Sequence, residues 1–129
     1  FLKWREDFAL LTIHLVKGNH DILQNNWYEV ADLIISEDKL QMNNFYFIHD
    51  VQHINVSAEE NEYFFSGHIH PGITIKGTSK QSLRFPCFYF TKQFAVLPAF
   101  SRFTGLATIQ PKKRETVFAI VNNSIIKIE

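Results

Sequence analysis

Ile13-His14-Leu15-Val16-Lys17-Gly18-Asn19-His20-Asp21 is the stretch from which this chain is best read. Its first four residues are apolar and partly β-branched, which suits a short strand, and that strand runs almost at once into Gly-Asn-His-Asp. A strand that ends in Gly-Asn is where an α/β sheet delivers polar groups to a site at the strand's carboxyl end. Two further stretches repeat the arrangement. Phe45-Tyr46-Phe47-Ile48 is a strong aromatic strand that stops at His49-Asp50, and Tyr63-Phe64-Phe65-Ser66 leads into Gly67-His68-Ile69-His70-Pro71-Gly72. Four of the six histidines, His20, His49, His68 and His70, therefore stand at or just past the end of a strand-like run.

Working outward, Phe1, Trp4, Phe8 and Leu11 form a helical stripe with Lys3 and Glu6 between them. No N-cap residue precedes the stripe, so a helix start upstream is expected, and residues 1–129 are read as one domain truncated at its N-terminus. Residues 22–30 predict a short helix, weakened by Asn25-Asn26, and 33–35 predict a strand followed by a polar turn over 36–39. Asn43-Asn44 is a second turn signal. From Asn61 onward the pattern is strand and turn, with strands over 73–75, 84–91, 94–97, 117–121 and 125–128. Asn122-Asn123 joins the last two as a hairpin turn, because Asn tolerates positive φ. The fold class is α/β, strand-rich toward the C-terminus.

A length of 129 residues suits one domain with a real core, and 46% hydrophobic content with 13 Phe, 4 Tyr and 2 Trp is globular rather than disordered. No apolar run approaches the roughly 18–20 residues of a membrane span. Thirteen Lys+Arg balance thirteen Asp+Glu, which argues against a globally basic nucleic-acid binder that gains affinity mainly from counterion release. Cys87 is the one cysteine, so no internal disulfide framework exists, and a reducing cytoplasmic location is expected.

Imidazole nitrogens and carboxamide oxygens are good ligands for divalent transition metals, and strand ends hold them in fixed positions. If 68–70 stays extended, period-2 geometry puts the rings of His68 and His70 on one side. Spacing alone leaves open a plainer alternative, in which the histidines cap core strands through surface hydrogen bonds.

The ordered set Gly18-Asn19-His20-Asp21, a strand ending in His49, and Gly67-His68-Ile69-His70 resembles the calcineurin-like metallophosphoesterases. Gly67 to Gly72, Arg84-Phe85-Pro86-Cys87-Phe88, Leu97-Pro98-Ala99-Phe100 and Phe103-Thr104-Gly105 are similar to one bacterial branch, the ligase-associated DNA damage response endonucleases (PdeM-like). The resemblance implies a metallophosphoesterase-type β-sandwich flanked by helices, of which this chain is the C-terminal portion. It implies phosphodiester hydrolysis by a water activated between two divalent ions, with Mn²⁺ the expected pair and Fe, Zn, Ni or Mg as alternatives. Asn19, His49 and His68 match ligands of one ion, and His70 matches a ligand of the other. His20 matches the histidine that contacts phosphate and helps protonate the leaving group, and Asp21 the carboxylate that orients it. The implied substrate is DNA or a related nucleic acid, and a functional link to a DNA ligase system follows from the resemblance alone.

The family's Asp-x-His and Gly-Asp motifs, expected before Gly18, do not occur in residues 1–17, where Asp7 lies in a helical stripe and His14 inside a strand. Three protein ligands are thereby absent, including the carboxylate that bridges both ions. Two dications held close without it repel each other. Weak metal binding, little hydrolysis, and self-association through an uncovered edge or apolar face are expected. A small-nucleotide or phosphomonoester phosphatase and a non-catalytic metal-binding or interaction remnant are the competing readings.

Other residues read more plainly. His53 is the rival to His49, which is preferred because it follows the strand directly. His14 is read as a structural strand histidine and Cys87 as a packed thiol. Arg84 and Arg102 are read as surface or ion-paired, Lys112-Lys113-Arg114 as a solvated loop, and the phenylalanines between 85 and 103 as core rather than base-stacking groups.

Overall fold

A computed structural model describes residues 1–54, 61–77, 81–101 and 103–128. Arg102 lies outside the described residues. The N-terminal stripe forms a helix only over α1, Leu2–Asp7, because Phe8 leaves helical space at φ −125° and ψ 36°. Its aromatic rings do meet, Phe1 to Trp4 at 5.5 Å and Trp4 to Phe8 at 4.8 Å, but Phe1, Trp4, Phe8 and Leu11 all remain exposed. What anchors α1 is polar. Buried Arg5 pairs with the Asp32 carboxylate and donates to the Phe8 carbonyl.

β1 (Ile13–Val16) and β2 (Leu33–Ser36) pair in parallel, Ile13 opposite Leu33 through Val16 opposite Ser36. Helix α2 (Asn25–Val30) lies between them in the chain and buries Tyr28, so the segment is a βαβ unit. Asp32, at φ 51°, turns the chain into β2.

A separate nine-stranded mixed sheet makes up the rest. β3 (Lys39–Met42) and β4 (Phe45–Ile48) form a hairpin across Asn43, which sits at φ 54°. The polar stretch after β2 does turn, yet Lys39 already belongs to β3, a strand that Lys-Leu-Gln-Met hardly announces. β4 pairs in parallel with β5 (Tyr63–Ser66), and their aromatic rows stack, Tyr46 on Phe64 at 5.1 Å and Phe47 on Phe65 at 5.3 Å. Beyond η1, a 3-10 turn over Val51–His53, come β6 (Pro71–Lys76), β7 (Ser82–Phe90), β8 (Phe94–Val96), β9 (Ala107–Thr108), β10 (Thr116–Val121) and β11 (Ser124–Ile128). β5 pairs in parallel with β8, β7 pairs with β6 along its first half and with β8 and β10 along its second, and β9 pairs with β6. Asn122 and Asn123, at φ 47° and 63°, close the β10–β11 hairpin as the sequence predicts.

The core sits where β7 joins its neighbours. Ile73, Cys87, Val117 and Ala119 are buried together, with Ile75, Phe85, Tyr89 and Val121 continuing the same alternating faces. Fully burying a side chain such as Val117 contributes about 1.5–3 kcal/mol. Cys87 belongs to this core, and burial raises its thiol pKa to about 11, which keeps it an unreactive thiol. The described molecule is thus a strand-rich mixed sheet with two six-residue helices, compatible with the expected α/β class. No helix among the described residues is long and apolar enough to cross a membrane.

Candidate metal centre

β1, β4 and β5 each end in the residues that the sequence singles out: Gly18-Asn19-His20-Asp21 after β1, His49-Asp50 after β4, and Gly67-His68 after β5. Because β4 and β5 run parallel, their polar ends emerge together, and the βαβ unit brings the end of β1 against them. Asn19, His49 and His68 meet there. His49 Nε2 lies 2.8 Å from Asn19 Oδ1 and 2.8 Å from His68 Nδ1, and the two rings stand edge to face with centroids 4.6 Å apart.

Three ligand-type atoms so close have a specific chemistry. One Nε2–H serves one acceptor well, whereas a cation among the three satisfies all of their lone pairs. Donor atoms about 2.1 Å from an ion and at right angles lie about 3.0 Å from each other, close to the spacing seen here. The trio therefore fits one divalent ion. It depends on the Asn19 amide, since among the described residues no group of three or more His, Cys, Asp or Glu side chains is arranged for a metal.

The electrostatics keep these ligands ready. Burial, then the neighbouring His68, lowers the His49 pKa, while Asp50 and Asp21 act weakly the other way. That shift favours the neutral ring, the form that binds metal. Buried Asp50 places Oδ2 3.6 Å from His68 Nε2. That carboxylate faces Nε2, while Nδ1 on the other side of the ring faces His49. Asp50 itself is held because Oδ1 accepts a 3.0 Å hydrogen bond from Gln52 N–H, and Ser66 Oγ donates at 2.9 Å to the His49 carbonyl. The sequence reading passed over Asp50; a carboxylate directly after the strand-ending histidine is the signal that would have found it.

Segment 68–70 departs from expectation. It is not extended: His68 and His70 both adopt left-handed backbone, at φ 54° and 49°, so alternation does not decide where their rings point. Such conformations cost about 1–3 kcal/mol each for non-glycine residues and concentrate at functional sites. His70 holds the chain through its carbonyl, which accepts from Ala107 N–H at 3.0 Å, and among the described residues no hydrogen bond or ring contact joins its imidazole to the trio. Asn19, His49 and His68 are gathered at one point, and among the described residues His70 stands outside that group.

His20 is exposed, and its charge is felt at His49. Asp21 closes the turn: its Oδ2 accepts from Gly18 N–H at 2.8 Å, and no hydrogen bond links it to His20 among the described residues. A cleft of about 620 Å³ opens beside the trio, walled by Lys17, Glu37, Asp38, Lys39 and His53. His53 thus lines the approach, while the ring in the trio is that of His49. His14 lies within β1, its Nδ1 buried and without a partner among the described residues. Arg84 donates to the Leu106 carbonyl, and Lys112, Lys113 and Arg114 are exposed. Of the phenylalanines read as core, Phe85 packs against the buried cluster, Phe88 and Phe90 are only half-buried, and Phe100 and Phe103 are fully exposed, contrary to that reading.

No protein-family model matches the chain, and no curated protein does. Among solved structures, the chain is similar to the crystal structure of Pseudomonas putida nuclease MPE, with a TM-score of 0.77 and 25% sequence identity. The match covers 98% of this chain and 59% of that one, so the present chain spans less than two thirds of the nuclease. The fold described above is one that a nuclease uses.

Proposed function

We propose that this chain carries part of the active site of a metal-dependent phosphodiester hydrolase acting on nucleic acid, of the calcineurin-like metallophosphoesterase type that its motifs resemble. The observation that supports this most is the convergence of Asn19 Oδ1, His49 Nε2 and His68 Nδ1 at the carboxyl ends of three strands, within a fold shared with a nuclease.

Asn19, His49 and His68 would hold one divalent ion, with Mn²⁺ the expected metal, and His70 is the candidate ligand for a second. Divalent ions supply charge neutralisation on phosphoryl oxygens and acidify water near neutral pH. The chain's own residues do the rest. Asp50, facing His68 Nε2, would favour the tautomer that leaves Nδ1 free for the ion. His20, exposed next to Asn19 in the chain, would contact a phosphate and hand a proton to a leaving oxygen, the role its motif resembles. Asp21 sets the turn that presents both residues.

Because, among the described residues, His70 alone is left for a second ion, the 129-residue chain is expected to bind metal weakly and to hydrolyse little. The same observation favours a second reading, a metal-binding or interaction remnant without turnover. Among the described residues, eleven of the nineteen large hydrophobic side chains left exposed lie within residues 1–34. Self-association of two copies through that apolar surface accompanies the proposal.

The test is calorimetric Mn²⁺ titration together with hydrolysis of a bis-aryl phosphodiester, each with and without chelator. One ion bound and chelator-sensitive turnover, both lost in Asn19→Ala and His68→Ala, are expected. Metal binding without turnover would select the remnant. Turnover indifferent to chelator and to both substitutions would overturn the proposal.

A further inference from the structure

The cleft beside the trio lies where the two sheets join. Its walls are the end of β1, the Glu37-Asp38 turn that carries the chain from β2 into β3, the end of β4, and η1. Asn19 and His49 line it directly, so a molecule seated in the cleft touches the candidate centre. Two ammonium groups line it as well, and they are held in different ways.

Lys17 is already engaged. Its Nζ lies 3.3 Å from Glu37 Oε1 and 3.2 Å from Oε2, and its side chain is only 20% exposed. Lys39 makes no ion pair among the described residues, and it is exposed. It opens β3 opposite Ile48, the residue before His49. Opposed residues on antiparallel strands have Cβ atoms about 4.5–5.5 Å apart, so the Lys39 stem starts one residue away from His49. Its Nζ rests over the Tyr46 ring, 5.4 Å from the centroid. A cation steadied by an aromatic face keeps its charge and its N–H donors. Lys39 is thus a placed cation on the cleft wall without an anionic partner.

The cleft as a whole is short of positive charge. Lys17 and Lys39 stand against Asp21, Glu37 and Asp38. Of these carboxylates, Glu37 is held by Lys17, and Asp21 accepts from Gly18 N–H. A divalent ion at the trio reverses the sign of that balance. The ion serves the phosphate that lies on it, whereas a phosphate farther along a strand needs a second cation.

We infer that Lys39 binds a phosphate next to the one at the candidate centre. A strand carrying several phosphates, rather than a diester with one, is then the substrate class this cleft takes. The inference rests on the proposed phosphodiester hydrolase and adds a residue that grips its substrate away from the reacting atoms. It also meets a difficulty of charge. A chain of zero net charge gains little from a general basic field, so single placed contacts carry its hold on a strand.

The experiment follows binding of a fluorescein-labelled oligothymidylate by anisotropy, with the full chain at constant Mn²⁺ over a series of KCl concentrations. Each phosphate contact with a single strand adds about 0.7 to the steepness of log K against log salt. Lys39→Gln keeps most of the stem and removes the charge. It is expected to flatten the slope by about that amount and to weaken binding about 2- to 5-fold at the lowest salt. Lys39→Arg, which keeps the charge and can lie on Tyr46, should restore both. Lys113→Gln removes an equal charge from an exposed loop and should move neither. An unchanged slope in Lys39→Gln, an equal loss in Lys113→Gln, a loss that arginine does not restore, or no strand binding by the wild type would overturn the inference. Chelator-sensitive turnover of the bis-aryl phosphodiester reports the catalytic reading separately. A Lys39-dependent slope without turnover would leave the phosphate contact standing and the catalytic reading failed, and turnover with an unaltered slope would do the reverse.

Discussion

Gly18 and His49 occupy one space: a Cβ built on Gly18 would lie 2.5 Å from both Nδ1 and Cε1 of the His49 ring. The absence of a side chain at the end of β1 is thus what admits the imidazole at the end of β4. Gly18 does not adopt a left-handed backbone, so alanine is acceptable to the main chain there. Gly18→Ala is expected to act by pushing the ring off Asn19 and His68. Overpacking of this sort costs about 1–3 kcal/mol, and Mn²⁺ affinity should fall at least about tenfold. Calorimetric titration beside a thermal melt checks both; unchanged metal affinity would show that the ring is free to stand elsewhere.

Asp50 is expected to tune the metal without touching it. Asp50→Asn keeps an oxygen able to accept from Gln52 N–H and removes the charge facing His68 Nε2. Loss of such a carboxylate behind a ligating histidine typically costs about 10–100-fold in affinity. The fold should survive, so circular dichroism like that of the wild type with weakened Mn²⁺ binding is the expected pair of results.

The left-handed backbone of His68 and His70 separates fold from function. At φ 49°, His70→Gly should leave thermal stability nearly unchanged, because glycine takes that conformation freely. His70→Val, β-branched, should destabilise by about 1–3 kcal/mol. Any diesterase turnover should fall in both, since each removes the imidazole. Equal melting temperatures for the two variants would contradict the conformation.

Acidification should weaken both the fold and the centre. The His49 pKa is lowered from its ordinary 6.5, chiefly by burial, so the unfolded chain takes up a proton at a higher pH than the folded chain does. The His49 contribution to stability is therefore complete above about pH 6.5 and is lost as pH falls from there toward the folded-state value. Metal affinity should fall through the same window, because protonation competes for Nε2. Denaturant midpoints and Mn²⁺ titrations across that range test it, with His49→Gln expected to flatten the first profile.

Much of this was legible in the strand ends. Gly18-Asn19, His49 and Gly67-His68 each follow a short apolar run, and the structure brings Asn19, His49 and His68 to one point. The Asn122-Asn123 hairpin was legible too, since its positive φ values are what Asn tolerates. The N-terminal stripe was legible as a helix, but periodicity says which residues share a face and not whether anything covers it, and Phe1, Trp4, Phe8 and Leu11 are left exposed.

The local chemistry of this protein is written in its chain: which strands end in ligand-type residues, where asparagines turn the backbone, and that a chain of zero net charge carries a set of strand-end histidines. Tertiary structure alone decided which ends meet. Whether Asp50 faces His68, whether Gly18 makes room for His49, and whether Phe100 packs inward or stands in water depend on strand pairing and register. Those are set by contacts between residues far apart in sequence, and no local pattern encodes them.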